Sequence, residues 1–597
     1  MDDKTKIIII SITLLALMQA GVLFHYRQQS VVERPVVPEF SDAPKPAAVS
    51  EKTAQSARLS AEIVRGGIVP HHLMVKDQLS SYFKDLPRTD YETVVIIGPN
   101  HFNRGGKMAT SDVDWPTAAG DLEADKGSIA KTGLDIQNEA MVKEHSIGNL
   151  ASFIKEAIPK AKLLPIMLRA DTSPDEVEEL VGRLIEATAG KRILVLASVD
   201  FSHYQPVAAA DFHDEASRAA IENLDFARIY KLEIDSPPSI YALLKYLSVI
   251  GAGKSQLKFS TNSGRLAPAT ADNTTSHNFY YFYDGQPKKV KFFSGLFFGD
   301  LMIDRHVGER IKKVGVNGLA DTIAGQERRF VSGMDIVMAN LEGAVTDSGA
   351  HYPPVNGNDF AFLPATVGQF KERGFNFFNI ANNHLTDQGK KGVTETSNNL
   401  SELGYGFSGC GDRQVGDCSG AVKKIGDTKV ALLGFSMVYG DFDLDSAKSK
   451  VIEAKKQNDF VVVNVHWGSE YTHQFSRKQQ AVGRALIDAG ADVIIGHHPH
   501  VTQGIEAYKG KLIFYSLGNF IFDQYFSRDT QESLAVGLVM EKGTTTARIF
   551  PLKQKRSVPE LMKGKEKEDF LVKVSEWSVA DSSLEQKIRS GVLMFSE

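Results

Sequence analysis

The sequence has very little cysteine. Two cysteines in 597 residues exclude a small disulfide-built scaffold and a zinc or iron–sulfur domain with cysteine ligands. The chain also lacks an excess of positive charge: 68 Lys and Arg against 73 Asp and Glu give a net charge of −5, so we expect no nucleic-acid partner. Repeats of roughly 20–50 residues are absent as well, which excludes solenoids and propellers. With 42% hydrophobic and 24% charged residues, the composition is that of a globular protein.

Histidine, by contrast, occurs in informative places. Ten of the sixteen histidines lie in short segments beside Gly, Pro, Asn or Asp, and hydrophobic packing does not require such clustering. These ten are His71, His72, His101, His145, His203, His384, His466, His497, His498 and His500.

The N-terminal segment contains an apolar run, residues 7–24, that has no formal charge. It predicts a transmembrane helix of about 27 Å, with residues 1–6 as a cytoplasmic N-terminus and the Pro-, Ala- and Ser-rich residues 25–58 as a linker. A cleaved signal peptide is the alternative; no small-x-small cleavage site follows the run, which favours an uncleaved anchor. The expected localisation is the cell membrane, single-pass, with the bulk of the chain extracytoplasmic.

Both cysteines, Cys410 and Cys418, lie in one Gly- and Asp-rich loop. An oxidising compartment would permit a disulfide between them, and two free thiols are the alternative. The sequence leaves both interpretations open.

The first globular region, about 59–285, alternates β-branched apolar runs with stretches of helical period, which predicts an α/β layer structure. Its apolar runs end abruptly in polar motifs, and ligand-binding groups collect at the carboxyl ends of strands in such sheets. Three imidazoles and a carboxylate gathered there suit a divalent metal such as iron, copper or zinc. The expected ligands are His71, His101, Asp200 and His203.

Five ordered motifs occur in this region: GIVPH (67–71), GPNH (98–101), EHSIGN (144–149), SVDFSHY (198–204) and STNSG (260–264). Together they resemble the Memo-like family, also called AmmeMemoRadiSam system protein B. The resemblance implies a fold similar to class III extradiol dioxygenases and a metal site at the four residues just named, with His145 nearby. The family's cysteine is missing, and its position falls at about Pro237. Both a metal site with altered ligands and a retained binding fold stay open.

The second region, about 290–553, repeats the pattern of strand followed by polar tip. The tips offer a mixed set of oxygen and nitrogen ligands, of the kind that holds two divalent metals for an in-line displacement. His384 is placed to stabilise or protonate a leaving group, and His497 is interpreted as a neighbour of the ligands. The expected ligands are Asp300, Glu342, Asn383, His466, His498 and His500.

The motifs GD, NLE, ANNH, HWG, GHHPH and SLGNF resemble the CapA family of capsule and poly-γ-glutamate synthesis proteins, whose fold is similar to calcineurin-like metallophosphoesterases. The resemblance implies that the six tip residues are metal ligands and that His384 is catalytic. The ion we expect is a divalent metal, Mn, Fe or Zn. One departure is Met302, which stands where the wider phosphoesterase pattern has a histidine. A mononuclear site or a non-phosphatase activity is therefore open.

The function expected from these features is a metal-dependent hydrolase or transferase acting on capsule or cell-envelope polymer of the poly-γ-glutamate type. Two alternatives remain: a non-catalytic envelope assembly or binding protein that retains both folds, and a Memo-like non-haem metal oxidoreductase. Residues 554–597 are expected to form a short helical tail.

Overall fold

The computed structural model describes residues 63–87, 90–346 and 359–596. The predicted cytoplasmic segment, anchor and linker (1–58) lie outside the described residues. The predicted mixed α/β architecture is confirmed, with several sheets arranged in two successive parts.

The predicted membrane localisation is corrected by the structure. Among the residues it describes, none of the helices is long and apolar enough to cross a membrane. The longest of them, Val207–Glu222, has 16 residues, whereas a bilayer core requires about 20 apolar residues. The segment 7–24, on which the prediction depended, lies outside the described residues, so the structure gives the single-pass, extracytoplasmic assignment no support.

The first part is built on one eight-stranded sheet. Its strands are β1 (Val64–Val69), β2 (Thr93–Pro99), β3 (Met108–Thr110), β4 (Asp135–Ile136), β5 (Lys162–Leu168), β6 (Ile193–Ser198), β7 (Lys254–Asn262) and β8 (Ser276–Tyr283). The order across the sheet is β4-β3-β5-β2-β6-β1-β8-β7, and the central β5, β2, β6 and β1 are parallel. Because β2 is buried along its whole length, it has the continuous apolar character of a strand covered on both faces.

Helices cover both faces of this sheet. They are α1 (Lys76–Lys84), α2 (Lys126–Thr132), α3 (Asn138–Val142), α4 (His145–Ala157), α5 (Pro174–Ala187), α6 (Val207–Glu222), α7 (Phe226–Ile229), α8 (Pro237–Val249) and α9 (Ser263–Leu266). A capping box at Ser173 starts α5, where Ser173 and Glu176 satisfy each other's backbone N–H groups.

The second part contains two large sheets and a small one. Its strands are β9 (Phe292–Leu301), β10 (Ile336–Leu341), β11 (Ala344–Val345), β12 (Ala361–Phe362), β13 (Phe377–Asn379), β14 (Gly406–Ser408), β15 (Gly420–Ile425), β16 (Thr428–Ser436), β17 (Phe460–His466), β18 (Val493–His497), β19 (Ile505–Tyr508), β20 (Lys511–Phe514), β21 (Asn519–Ile521), β22 (Glu532–Glu541), β23 (Thr544–Lys555), β24 (Val558–Leu561) and β25 (Val592–Ser596).

One sheet has the order β14-β13-β10-β9-β22-β23-β24, with β21 on β9 and β25 on β23; the other has the order β15-β16-β17-β18-β20-β19. Their facing sides share one core that includes Phe297 from the first sheet and Ile495 from the second. The helices are α10 (Arg305–Val314), α11 (Asn317–Ala324), α12 (Pro364–Gly368), α13 (Gly389–Glu402), α14 (Leu444–Gln457), α15 (Arg477–Asp488), α16 (Gly564–Trp577) and α17 (Ser582–Ser590). In the loop before β15, Cys410 and Cys418 form a disulfide.

The two parts share a continuous hydrophobic core and belong to one compact unit, residues 61–597. Buried ion pairs cross between them: Arg228 Nε lies 2.9 Å from Asp335 Oδ1, and Arg548 Nη2 lies 2.7 Å from Glu215 Oε1. Each of these side chains is at most about one-tenth exposed. The parts are therefore packed against each other through both apolar and charged contacts.

Candidate metal centres

The second part gathers its predicted ligands at the carboxyl ends of parallel strands from both large sheets. Asp300 lies near the end of β9, Glu342 follows β10, and His466 ends β17. Loops after β13 and β18 supply Asn383, His384, His498 and His500. Residues far apart in sequence therefore meet at one sheet edge, as expected for this kind of fold.

An inner cluster, Asp300, Glu342 and His466, is completely buried, and its ligand atoms lie within 4.8 Å of one another. Glu342 Oε1 is 3.9 Å from His466 Nε2 and 3.7 Å from His500 Nε2. Among the described residues, neither carboxylate oxygen of Glu342 has a hydrogen-bond partner. Burial raises the pKa of Glu342 well above its usual range.

Asp300 is held from several directions. Asn340 Nδ2 donates a 2.8 Å hydrogen bond to its Oδ1, and the backbone N–H of His498 donates to Oδ2 at 3.3 Å. His497 Nδ1 and His500 Nδ1 lie 3.5 and 3.4 Å from the carboxylate. Burial alone would raise the pKa of Asp300, but these two imidazoles hold it well below the usual value. His497, which we interpreted as a neighbour, therefore lies directly against one of the predicted ligands.

The His466 ring lies between the Asn383 side chain and the His498 ring. His466 Nε2 lies 2.8 Å from Asn383 Oδ1 and 3.2 Å from His498 Nδ1. Burial lowers the pKa of His466 well below its usual range and that of His498 to about 4. Both rings are therefore neutral at pH 7, which is the form that binds a metal ion.

An outer cluster consists of Glu470, His498 and His500, whose ligand atoms also lie within 4.8 Å of one another. The Tyr471 N–H donates a 2.8 Å hydrogen bond to the Pro499 carbonyl, which ties the Glu470 loop to the histidine turn. Sequence analysis missed Glu470; its signal is its position four residues after His466, in the segment HWGSE.

Backbone strain marks the histidine turn. His498 has φ of 97° and His500 has φ of 59°, a region that non-glycine residues rarely adopt. Such conformations persist where surrounding structure enforces them, often at functional sites. Burial would lower the pKa of His500, but the carboxylates of Glu342 and Asp300 raise it to about 9. This ring position therefore favours a positive charge.

His384 lies between the buried cluster and the solvent. Its Nδ1 is 2.7 Å from Asp387 Oδ2, and its Nε2 is 3.7 Å from Glu342 Oε1. The ring packs on Phe360 with centroids 4.4 Å apart, and the Phe360 N–H donates to the same Asp387 oxygen at 2.9 Å. Asp387, which sequence analysis also missed, thus fixes the orientation of the ring.

A cleft of about 610 Å³ opens over these residues. Three exposed aromatic side chains, Tyr439, Tyr471 and Phe526, line it, with exposures of 60%, 47% and 68%. Arg305 also lines it and is paired with Asp523, whose Oδ2 accepts from Arg305 Nε at 3.1 Å. The cleft connects the outer cluster and His384 to the solvent.

Met302, at the position of the missing histidine, is completely buried. Its Sδ accepts a hydrogen bond from the Asp304 N–H at 3.1 Å. The Met302 side chain is therefore part of the local core packing and does not contribute to the predicted site.

The first part forms a separate cluster at the ends of its own strands. His71 Nε2 lies 3.3 Å from Asp200 Oδ2 and 3.4 Å from Asp235 Oδ2. His71 also forms a group with His101 and His145. The ring centroids of His101 and His145 are 4.3 Å apart. Burial would lower the pKa of His101, but hydrogen bonds and charge from Asp235 and Glu144 raise it to about 9.

The remaining predicted residues of the first part have other positions. Among the described residues, His203 is not in a metal-type group; its backbone N–H donates to Glu233 at 3.2 Å and its Nδ1 is buried without a partner. Pro237, where we expected the family's thiol, instead begins α8. The side chain that faces the histidines is Asp235, two residues earlier. His277, on β8, was also missed; its Nδ1 lies 2.9 Å from Asp200 Oδ1.

Comparison with known proteins agrees with this division. The family model described as "Memo-like protein" matches residues 45–272, and "Bacterial capsule synthesis protein PGA_cap" matches residues 295–524. The "PGA biosynthesis protein CapA" of Bacillus subtilis is 32% identical over 51% of this chain and 82% of its own. A "MEMO1 family protein" of Methanococcoides burtonii is 30% identical over 35% of this chain and 84% of its own.

The chain belongs to both families, CapA and Memo-like. A second relative, the "Capsule biosynthesis protein CapA" of Bacillus anthracis, is 34% identical over 44% of this chain and 67% of its own. The predicted fusion is confirmed, and the second part is a capsule-related CapA domain. The candidate ligand groups of that domain suit a divalent metal ion.

Proposed function

We propose that the CapA domain is a metal-dependent hydrolase or transferase that acts on a capsule or cell-envelope polymer of the poly-γ-glutamate type. The environment of the Glu342 carboxylate is the observation that supports this proposal most directly. Its carboxylate is completely buried, neither oxygen is hydrogen-bonded, and nitrogens of His384, His466 and His500 lie within 3.9 Å of Oε1. A buried carboxylate without a partner is costly, and a divalent cation between it and the imidazoles removes that cost.

The donor set fits such a cation. Carboxylate and amide oxygens together with imidazoles, such as the neutral rings of His466 and His498, are ligands that Mn²⁺, Fe²⁺ and Zn²⁺ accept. The inner cluster would hold one ion, and the outer cluster offers a second position at the cleft. A cation bound here supplies Lewis acidity toward a substrate oxygen and lowers the pKa of a water molecule.

His384 has the geometry of a general acid. Because Asp387 accepts the Nδ1–H, the ring presents Nε2 toward Glu342 and the cleft. Protonated at Nε2, the imidazole can deliver that proton to a leaving group bound in the cleft. Phe360 covers one face of the ring and restricts its rotation.

The choice of substrate follows from the relatives. The Bacillus subtilis relative is named for PGA biosynthesis and the Bacillus anthracis relative for capsule biosynthesis. The open cleft, with aromatic side chains and Arg305 among its lining, suits a segment of a long chain better than an enclosed pocket would.

The full chain, stripped with chelator and reloaded with Mn²⁺, Fe²⁺ or Zn²⁺, would test the proposal. Chain length of poly-γ-glutamate and release from a generic phosphodiester are followed over time. We expect turnover that falls in Glu342→Gln because this variant binds the metal far more weakly, and that His384→Ala abolishes with metal retained. Glu309→Gln, an exposed change in α10, is the control. Absence of bound metal in the wild-type protein, or polymer binding without turnover under every metal, would contradict the proposal; the latter would favour the non-catalytic assembly protein.

A further inference from the structure

Arg305 lines the cleft of the CapA domain, and the chemistry proposed above gives it no role of its own. It is the only lysine or arginine among the described residues that line the cleft. A negatively charged chain in the cleft therefore finds one permanent positive charge in this lining. The role of Arg305 rests on the proposed function, since it concerns how the same cleft recognises its substrate.

The backbone at Arg305 is held in an uncommon conformation. Its φ is 49°, in the region that non-glycine residues rarely adopt. Asp304 caps α10: its Oδ1 accepts from the Arg305 N–H at 2.7 Å, and its Oδ2 accepts from the Ala361 N–H at 2.9 Å. The start of α10 is therefore tied to the strand that follows Phe360. Strained positions that the surrounding structure enforces often occur where a ligand is bound.

The guanidinium is oriented by one carboxylate and two aromatic rings. Nε donates to Asp523 Oδ2 at 3.1 Å, and Nη2 donates to the other oxygen of this carboxylate. The Asp523 side chain is only 3% exposed and also accepts from the His306 N–H at 3.3 Å. The guanidinium carbon lies 4.9 Å from the ring centroid of Phe360 and 5.9 Å from that of Phe522. Because the planar group is already held in place, it loses little freedom when it binds a second anion.

The opposite edge of the guanidinium remains for a ligand. Among the described residues, no hydrogen bond engages Nη1 of Arg305, and the side chain is 37% exposed. Nη1 and the second N–H of Nη2 form an edge that can donate two parallel hydrogen bonds. A carboxylate accepts such a pair with matching geometry and opposite charge.

The same two rings connect the guanidinium to the histidines of the site. Phe360 packs on the His384 ring with centroids 4.4 Å apart, and Phe522 packs on His500 at 4.8 Å. Since the distances of 4.9 and 4.4 Å meet at the Phe360 centroid, the guanidinium carbon lies no more than about 9.3 Å from the centroid of His384. In a γ-linked glutamyl chain, the carbon atom bonded to each amide nitrogen also carries a free carboxylate. One residue of such a chain can therefore place its nitrogen at His384 and its carboxylate at Arg305.

We propose that Arg305 is the specificity-determining residue of the cleft and binds the free carboxylate beside the amide at which the chain reacts. The polymer is then recognised at a side group that every residue repeats, and its backbone amide is aligned with His384. Asp523 positions the guanidinium and does not contact the polymer. A chain whose carboxylates are blocked is disfavoured, because it leaves the charged Nη1 edge without an anionic partner.

The test measures binding to the Mn²⁺-loaded full chain carrying His384→Gln, in which the polymer should not turn over. The probe is a fluorescent γ-glutamyl oligomer, and the same oligomer with its carboxylates converted to amides is the comparison; fluorescence anisotropy gives both dissociation constants. We expect Arg305→Gln to weaken binding of the acid oligomer by about 10-fold or more and to leave binding of the amide oligomer unchanged. Lys313→Gln removes an equal charge from an exposed position in the same helix and should change neither constant.

Arg305→Lys is the second variant. It keeps a positive charge beside Asp523 but lacks the planar fork, so it carries the test if Arg305→Gln does not fold, as judged by near-ultraviolet circular dichroism. It should weaken binding of the acid oligomer by about 3-fold or more, again without effect on the amide oligomer.

Equal affinity of the His384→Gln protein for the acid and amide oligomers would overturn the inference. Unchanged binding in a folded Arg305 variant, or equal losses for both oligomers, would do the same. A glycerol phosphate oligomer that binds as tightly as the acid oligomer, and loses as much in the variants, would overturn the assignment to a carboxylate. Absence of bound metal or of turnover in the wild-type protein contradicts the CapA proposal alone, since the comparison of the two oligomers, repeated after chelator treatment, requires neither.

Discussion

The Glu342→Gln substitution removes the negative charge of the side chain and keeps its shape, and it therefore tests the proposed CapA site. In the wild-type protein, a metal at about 100 times its dissociation constant adds about 2.7 kcal/mol to the free energy of unfolding. Loss of a ligand's charge should weaken metal binding by about 100-fold or more, since residues that only orient a ligand already contribute about 10- to 100-fold. At the same metal concentration the variant then gains only about 0.4 kcal/mol. The structural basis is that Glu342 is the carboxylate closest to His384, His466 and His500 together.

Thermal unfolding with and without metal measures this difference of about 2.3 kcal/mol. A unit of this size loses roughly 1.1 kcal/mol per degree at its midpoint, so the metal should raise the Tm of the wild-type protein by about 2 °C more than that of the variant. The control Glu309→Gln, stripped of metal and reloaded in the same way, should show the same metal-induced rise in Tm as the wild-type protein. An equal metal-induced rise in Glu342→Gln would refute the assignment of this carboxylate as a ligand.

Three further predictions concern other residues. Asp387→Asn should lower kcat by about 10²-fold or more with metal content unchanged, since His384 loses the group that orients it; steady-state kinetics and metal analysis check this. Asp214 has its pKa raised by burial to about 7. The free energy of unfolding should therefore fall as pH rises from about 4 to 7, by up to about 4 kcal/mol for a carboxyl fully shielded from solvent. Denaturant melts at several pH values measure this dependence, and Asp214→Asn should remove it. Replacing Cys410 and Cys418 with Ser should cost about 2.5 kcal/mol for a loop of this size, and reduction of the wild-type protein should reproduce the loss in the same melts.

Much of the candidate site could be predicted because its residues follow recognisable strands. Asp300, Glu342 and His466 each end an apolar β run, and parallel strands bring such ends together. The same reasoning placed His71 and Asp200 at the edge of the first sheet. Local pattern is sufficient in these cases because the sheet supplies the long-range order.

The residues that were missed lie where no strand ends. Glu470 and Asp387 are in loops, and their position depends on single contacts, such as that between Tyr471 and Pro499, that the sequence does not encode visibly. Asp235 lies just before a helix, and the sequence pattern drew attention to Pro237, two residues later, where the family's thiol was expected. His277 lies on a buried strand and resembles a core residue until Asp200 is seen beside it.

The packing between the two parts limits how they can be studied. Phe212 from the Memo-like domain lies edge-on to Phe550 of the other part, at 5.8 Å between centroids, within one continuous core. Nearby, Arg548 is largely buried against Glu215. Separation of the parts would expose this apolar surface to water, which is unfavourable. The two candidate metal sites are therefore best tested in the full chain, in which this packing is intact.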